Sequence, residues 1–192
     1  MDPIQGLDWG TYYWFLTQRN HKIPQIDFLL GILNNLGGVL FLAILALLVM
    51  VFLLSQGNKR GAGVFLGILG LAWIVILGVQ FLVDRPLPNA GEAVSSFPSG
   101  GAFLSSLVLV MLALIVARDY SQRGRVKVYF AFALLIMGIG AGQLYFGFHF
   151  LTDVLAGWAG GTALALAWAR GNSNSRRKSE FSSGIKPVQT AK

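Results

Sequence analysis

His149 and Asp153 stand four positions apart, a spacing that stacks two side chains on one face of a helix. On such a face the carboxylate can accept the imidazole Nδ1–H, which leaves Nε2 unprotonated and nucleophilic. The alternative is a hydrogen-bonded pair that merely joins or caps two helices, and the apolar surroundings weigh against it. Two further polar patches accompany the pair, Asp84-Arg85-Pro86-Leu87-Pro88 and Ser95-Ser96-Phe97-Pro98-Ser99-Gly100-Gly101. The Ser99-Gly100-Gly101 turn opens a helix and offers free backbone N–H groups to an anion, or Ser99 is a plain N-cap. Arg85 either clamps a phosphate or snorkels to a membrane interface. His21 has no partner in reach along the sequence and reads as interfacial.

The elements that must position these groups are apolar. Of 192 residues 55% are hydrophobic and only 12% charged, and the mean hydropathy is +0.63. An ordinary soluble domain carries about a quarter charged residues, so the chain is a membrane protein, all-α, organised as a transmembrane helical bundle. Leu36–Leu54 and Ala62–Val83 are runs of 19 and 22 residues, each long enough to cross the hydrocarbon core as a helix. Gly101–Ala117, Val128–Phe148 and the shorter Val154–Ala169 bring the expected spans to five. Ahead of them, Trp9, Tyr12, Tyr13 and Leu16 line one face of an N-terminal helix suited to the headgroup level. Pro24 ends or bends that helix, and Ile26–Asn35 reads as a second, partly buried one. Glycines four apart (Gly63 and Gly67, Gly138 and Gly142, Gly157 and Gly161) predict close helix–helix approach. With no strand before it, Gly138-Ile139-Gly140-Ala141-Gly142 is helix packing and not a nucleotide loop.

Orientation follows from the basic residues. Lys59 and Arg60 lie between spans one and two, and Arg118, Arg123, Arg125 and Lys127 between three and four. Arg170, Arg176, Arg177, Lys178, Lys186 and Lys192 follow span five. Twelve of the fifteen basic residues thus share one side, leaving Arg19, Lys22 and Arg85 opposite. The rich side is predicted to be cytoplasmic, in a membrane of the bacterial plasma-membrane type, with the C-terminus inside and all three polar patches outside. The net charge of +7 is explained by that placement, so no nucleic-acid partner is expected. Residues 1–170 are read as the membrane-embedded domain and 171–192 as a basic, disordered cytoplasmic tail near anionic lipid. Asp2 occupies what would be a basic n-region, so a secretory signal is not expected. Without cysteine there is no thiolate chemistry, and two histidines alone leave a zinc site short of ligands; no metal and no cofactor is expected.

The three patches resemble the motifs of the type 2 phosphatidic acid phosphatase superfamily, which also includes the vanadium haloperoxidases. The resemblance runs from about Ile26 to Arg170. The family's motifs are a lysine followed after six residues by Arg-Pro; Pro-Ser-Gly-His; and Ser-Arg, five residues, His, three residues, Asp. Arg85-Pro86, Pro98-Ser99-Gly100, and His149 with Asp153 match. The stretch from Gln143 to Gly157 also resembles the third motif's neighbourhood. The resemblance implies that His149 is a nucleophile forming a phosphohistidine, that Asp153 orients it, and that Arg85, Ser99, Gly100, Gly101 and Gln143 lie where phosphate is bound. The departures are chemical: the motif-one lysine is Gly78, the motif-two histidine is Gly101, and the motif-three serine and arginine are Gly142 and Gln143.

A positioned general acid contributes about 10²–10⁴-fold, and hydrogen bonds to charged groups are worth about 1.5–3 kcal/mol each. Losing the acid and two cationic clamps therefore predicts a rate loss of at least a few thousandfold. Asp84 and Glu92 near the mouth add repulsion toward phosphate. Three readings follow. The first is a phosphatase-like protein that binds lipid phosphates, or a partner membrane protein, with weak or lost catalysis. The second is an active lipid monophosphate or diphosphate phosphatase, a phosphoric ester or anhydride hydrolase, working through His149. The third is a structural bundle. A diphosphate leaving group needs less protonation, so residual activity should favour isoprenoid diphosphates over phosphatidic acid.

Overall fold

The computed structural model of the chain describes residues 3–21, 23–88 and 95–182, the last eleven by backbone alone. Lys22, Glu92, Lys186 and Lys192 lie outside these residues. Helix α1 (Pro3–Asn20) holds the aromatic N-terminal stretch. Helix α2 (Pro24–Leu36) begins with Pro24, whose missing N–H costs nothing in a first turn. Helix α3 (Val39–Ser55) follows after a 53° bend at Gly37 and Gly38. Helix α4 (Lys59–Val83) is capped by Asn58, whose side chain accepts the Gly61 N–H at 2.9 Å. Helix α5 (Gly100–Val116) continues into a 3-10 turn (Ala117–Asp119), then come α6 (Gln122–Tyr145) and α7 (Leu151–Ser182). Helix α7 thus continues past Arg170, the expected end of the membrane domain.

By length and apolarity, α4, Gly100–Asp119 and α6 can each cross a membrane, and α2 with α3 would make a fourth, broken span. The five spans expected from the sequence are not all of that kind. Helix α3 has 17 residues, about 26 Å at 1.5 Å per residue, short of a hydrocarbon core of about 30 Å unless α2 extends it. Helix α7 spends its first turns on Thr152, Asp153 and closely spaced glycines, which lowers its apolarity.

Helix α5 is the axis of the bundle, with 61% of its apolar window buried against 22% for α4 and 33% for α6. Leu107 and Met111 of α5 and Phe65 and Ile76 of α4 are wholly or almost wholly buried there. Phe81, Leu82 and Leu40 point outward at 85%, 80% and 77% exposure, an apolar exterior that water would penalise and lipid does not. Two of the three expected glycine pairs make tight contacts. A Cβ on Gly142 would sit 2.9 Å from the Leu30 carbonyl of α2, and one on Gly157 would sit 2.8 Å from the Ser99 carbonyl at the head of α5. A Cβ on Gly161 would overlap the Phe103 carbonyl and the Ser106 hydroxyl. Gly63 and Gly67 differ from expectation, because among the described residues nothing lies within 4 Å of a Cβ at either, so they do not pack as a pair there.

These contacts predict opposite outcomes for the same substitution. Gly161→Ala should cost about 1–3 kcal/mol through overpacking, seen as a lowered Tm in detergent micelles. Gly67→Ala should be neutral or slightly stabilising, because alanine is the better helix former. Equal losses at both positions would contradict the packing described.

Candidate active site

The three polar patches meet at one end of the bundle. Helix α4 ends at Asp84, a left-handed residue (φ 41°) that turns the chain so that Arg85 points back over the bundle end. The strand-like pairing of Pro86 with Ser95 closes the following loop. The Arg85 N–H donates to Ser95 Oγ at 3.1 Å, and the Ser96 N–H donates to the Arg85 carbonyl at 2.6 Å. The Gln80 amide supports the loop from α4 by donating to the Pro98 carbonyl at 3.3 Å. The Ser99 N–H donates to the Asp153 carbonyl at 3.0 Å, so the head of α5 is tied to the head of α7.

Arg85 is shared among three side-chain acceptors. Its Nη1 donates to Thr152 Oγ1 and to Asp153 Oδ1, both at 2.8 Å, and its Nη2 donates to Asp8 Oδ2 at 2.6 Å. The guanidinium carbon lies 4.2 Å from the centre of the Phe150 ring, a cation–π contact. Asp153 also accepts the Phe150 N–H at 2.8 Å through Oδ2. That is the reach-back of a carboxylate in the third helical position to the residue before the helix. Asp8, fully buried, accepts from the Thr152 N–H at 2.9 Å and the Thr152 hydroxyl at 2.7 Å. Sequence reasoning missed Asp8. The signal was there in a lone acid beside Trp9 on an otherwise aromatic helix, but its partner is 77 positions away.

His149 lies in the connection before α7 and not on its helical face, so the expected stacking with Asp153 is not what orients it. Its Nδ1 is 3.0 Å from the Ser96 carbonyl and 4.0 Å from Asp153 Oδ2. A carbonyl can only accept, so Nδ1 carries a proton, and in the neutral ring Nε2 keeps its lone pair. Burial pushes the imidazole pKa below the ordinary histidine value, with the Asp153 charge and the Ser96 carbonyl acting in the other direction.

Ser99, Gly100, Gly101 and Gln143 form a second group beside the first. The Ser99 hydroxyl donates to Gln143 Oε1 at 2.6 Å and accepts the Ala102 N–H at 3.2 Å, the plain N-cap among the alternatives above. A Cβ on Gly101 would overlap Gln143 Nε2 and lie 2.9 Å from the Gly37 carbonyl. The two departures from the motifs therefore fit each other: the Gln143 amide fills the space that a side chain at 101 would need. Arg85 and Thr152 line an open groove of about 730 Å³ with Trp9, Pro86, Phe97 and Phe150, and His149 is not among its lining residues. Among the described residues no cluster of three or more His, Cys, Asp or Glu could hold a metal ion.

This arrangement of helices and polar groups has counterparts. Residues 39–177 match the PAP2 superfamily. Phosphatidylglycerophosphatase B of Bacillus subtilis is 26% identical over 109 residues, 50% of this chain and 54% of that protein, so the match spans about half the relative's length. The crystal structure of the transmembrane PAP2-type phosphatidylglycerolphosphate phosphatase from Bacillus subtilis superposes with a TM-score of 0.77 at 19% identity, over 98% of this chain and 90% of the other. LpxE of Aquifex aeolicus gives 0.59 at 19% identity, over 82% and 93%. With the family matched across most of its length and the same helical fold throughout, this chain is an integral-membrane member of the PAP2 superfamily.

Proposed function

We propose that the protein is a phosphatase-like membrane protein that engages a phosphorylated lipid, phospholipid or isoprenoid, near Arg85, with catalysis weak or lost. The observation that carries this reading is the electrostatic state of Arg85. In a site for phosphate a guanidinium stands ready for an anion; here it is shared by two buried carboxylates. Glycine and glutamine meanwhile stand at 101 and 143, where the family's motifs place a general acid and a cation. The lipid phosphates named for the relatives support the ligand class. The site faces away from the cytosol in this reading, because Lys59 starts α4 and Arg85 follows its other end.

One observation favours the second reading, an active diphosphatase. The Ser96 carbonyl holds His149 with Nε2 free, the form in which an imidazole attacks phosphorus. In that reaction Nε2 bonds to the phosphorus as the ester or anhydride oxygen leaves with the electron pair, and water later releases phosphate.

Purified full-length protein in phosphatidylcholine nanodiscs separates the readings. The proposal predicts saturable binding of phosphatidic acid that Arg85→Ala abolishes. It also predicts phosphate release about a thousandfold or more below that of Bacillus subtilis phosphatidylglycerophosphatase B. Brisk release from a prenyl diphosphate, lost in His149→Ala, would establish the second reading, and no binding at all would leave a structural bundle. Histidine NMR on a His21→Asn variant isolates His149, which should titrate below the ordinary value of about 6.5. The unfolded chain then takes up its proton first, so acidification through and below pH 6.5 should destabilise the fold through this group. A midpoint above 6.5 would mean that Asp153 holds the ring as a cation.

A further inference from the structure

Asp8 is the only buried residue of α1. Its helix packs mainly on α6 and α7 and contributes no fully buried apolar side chain: Leu7, Tyr13 and Trp14 are all more than half exposed, and Phe15 is only partly buried. Its polar anchors are the Asp8 carboxylate and the Arg19 guanidinium on the Phe146 carbonyl at 3.3 Å, and its apolar ones include Trp9 against Phe150 at 5.0 Å and Phe15 on the Ala102, Leu144 and Val154 cluster. The two Asp8 oxygens take three donors, Arg85 Nη2, the Thr152 hydroxyl and the Thr152 N–H. A phosphoryl group competes for that same kind of planar, charge-assisted donor set.

We propose that Asp8 is an internal competitor for Arg85: its carboxylate stands where a phosphoryl group would, and an anion binds there only when α1 lifts. This rests on the reading that Arg85 takes the phosphate of a ligand. With Asp8 in place, one guanidinium faces two carboxylates and the cluster is net negative, which opposes an incoming anion. With Asp8 withdrawn, the Arg85–Asp153 pair is neutral and two donor groups on Thr152 are released. The groove beside Arg85 has Ile4, Gln5 and Trp9 of α1 as one wall and Pro86 and Phe97 as another, so the movement that frees Arg85 also widens the space for a lipid chain. Asp8 thereby selects against weakly held anions and in favour of ligands whose chains displace α1.

The test uses the full chain in phosphatidylcholine nanodiscs, titrated separately with inorganic phosphate and with phosphatidic acid. Asp8→Asn keeps the shape and removes the charge; it should bind both at least tenfold more tightly than the unaltered protein, and adding Arg85→Ala should abolish the gain. Trp9→Ala, which loosens α1 without touching the donors, should raise binding in the same direction by a smaller factor. Should Asp8→Asn fail to fold, the Trp9→Ala result decides. Unchanged affinity in the folded variants would overturn the inference; if binding of phosphatidic acid still required Arg85, the proposed function would survive. Gain for inorganic phosphate alone would keep Asp8 as competitor and remove the lipid from the proposed function.

Discussion

Burying a carboxylate costs several kcal/mol even after the protein relaxes, and this fold buries two of them, Asp8 and Asp153, at one bundle end. The Arg85 guanidinium offsets that cost by donating to both, and it is itself held in place by Thr152 and the Phe150 ring. Nearly every other polar feature of the end is arranged around this triad. The loop from Ser95 to Ser99 is pinned to Arg85 on one side and to Asp153 on the other. His149 is fixed by a carbonyl of that same loop. Helix α1 is docked through the second carboxylate. Removing the guanidinium would leave two uncompensated charges in a setting of low dielectric, which is far costlier than losing a surface pair.

The same triad determines what the site can do. Stabilising a transferring phosphoryl group requires donors aimed at charge that develops during the reaction, preorganised before substrate arrives. Here the strongest donor is already committed to fixed carboxylates. The Ser99 hydroxyl is likewise committed, giving its proton to Gln143 and accepting from the backbone. The His149 imidazole is held by the Ser96 carbonyl, and burial lowers its pKa below the ordinary histidine value. The PAP2 fold is thus kept in a chain with glycine at 101 and glutamine at 143.

Much of this was legible in the sequence, and the residues that were not share a cause. Arg85, His149 and Asp153 stood out because ionisable side chains are rare among apolar spans, and the convergence of their patches followed from helix order alone. The helices α4, α5 and α6 were placed closely by their apolar runs, whereas α3 meets the length and apolarity of a span only together with α2, and α7 is less apolar than its run suggested. Asp8 was hidden because a helical wheel reports only neighbours within a few turns, and its role depends on a contact across most of the bundle. Ser96 contributes through a backbone carbonyl, which residue type cannot reveal. The fit of Gln143 against Gly101 depends on where the α2–α3 break brings the Gly37 carbonyl. The motif comparison could register those positions only as two separate losses.

The most direct measurement of the triad's role is a double-mutant cycle in reversible unfolding of the detergent-solubilised chain, using Asp8→Asn, Arg85→Gln and the pair. Contact between the two groups predicts that each single change destabilises and that the double variant loses less than their sum. The coupling energy should lie within about 0.5–3 kcal/mol, the range for directly interacting residues. Additivity within about 0.3–0.5 kcal/mol, the behaviour of independent sites, would contradict the arrangement of Arg85 between its carboxylates.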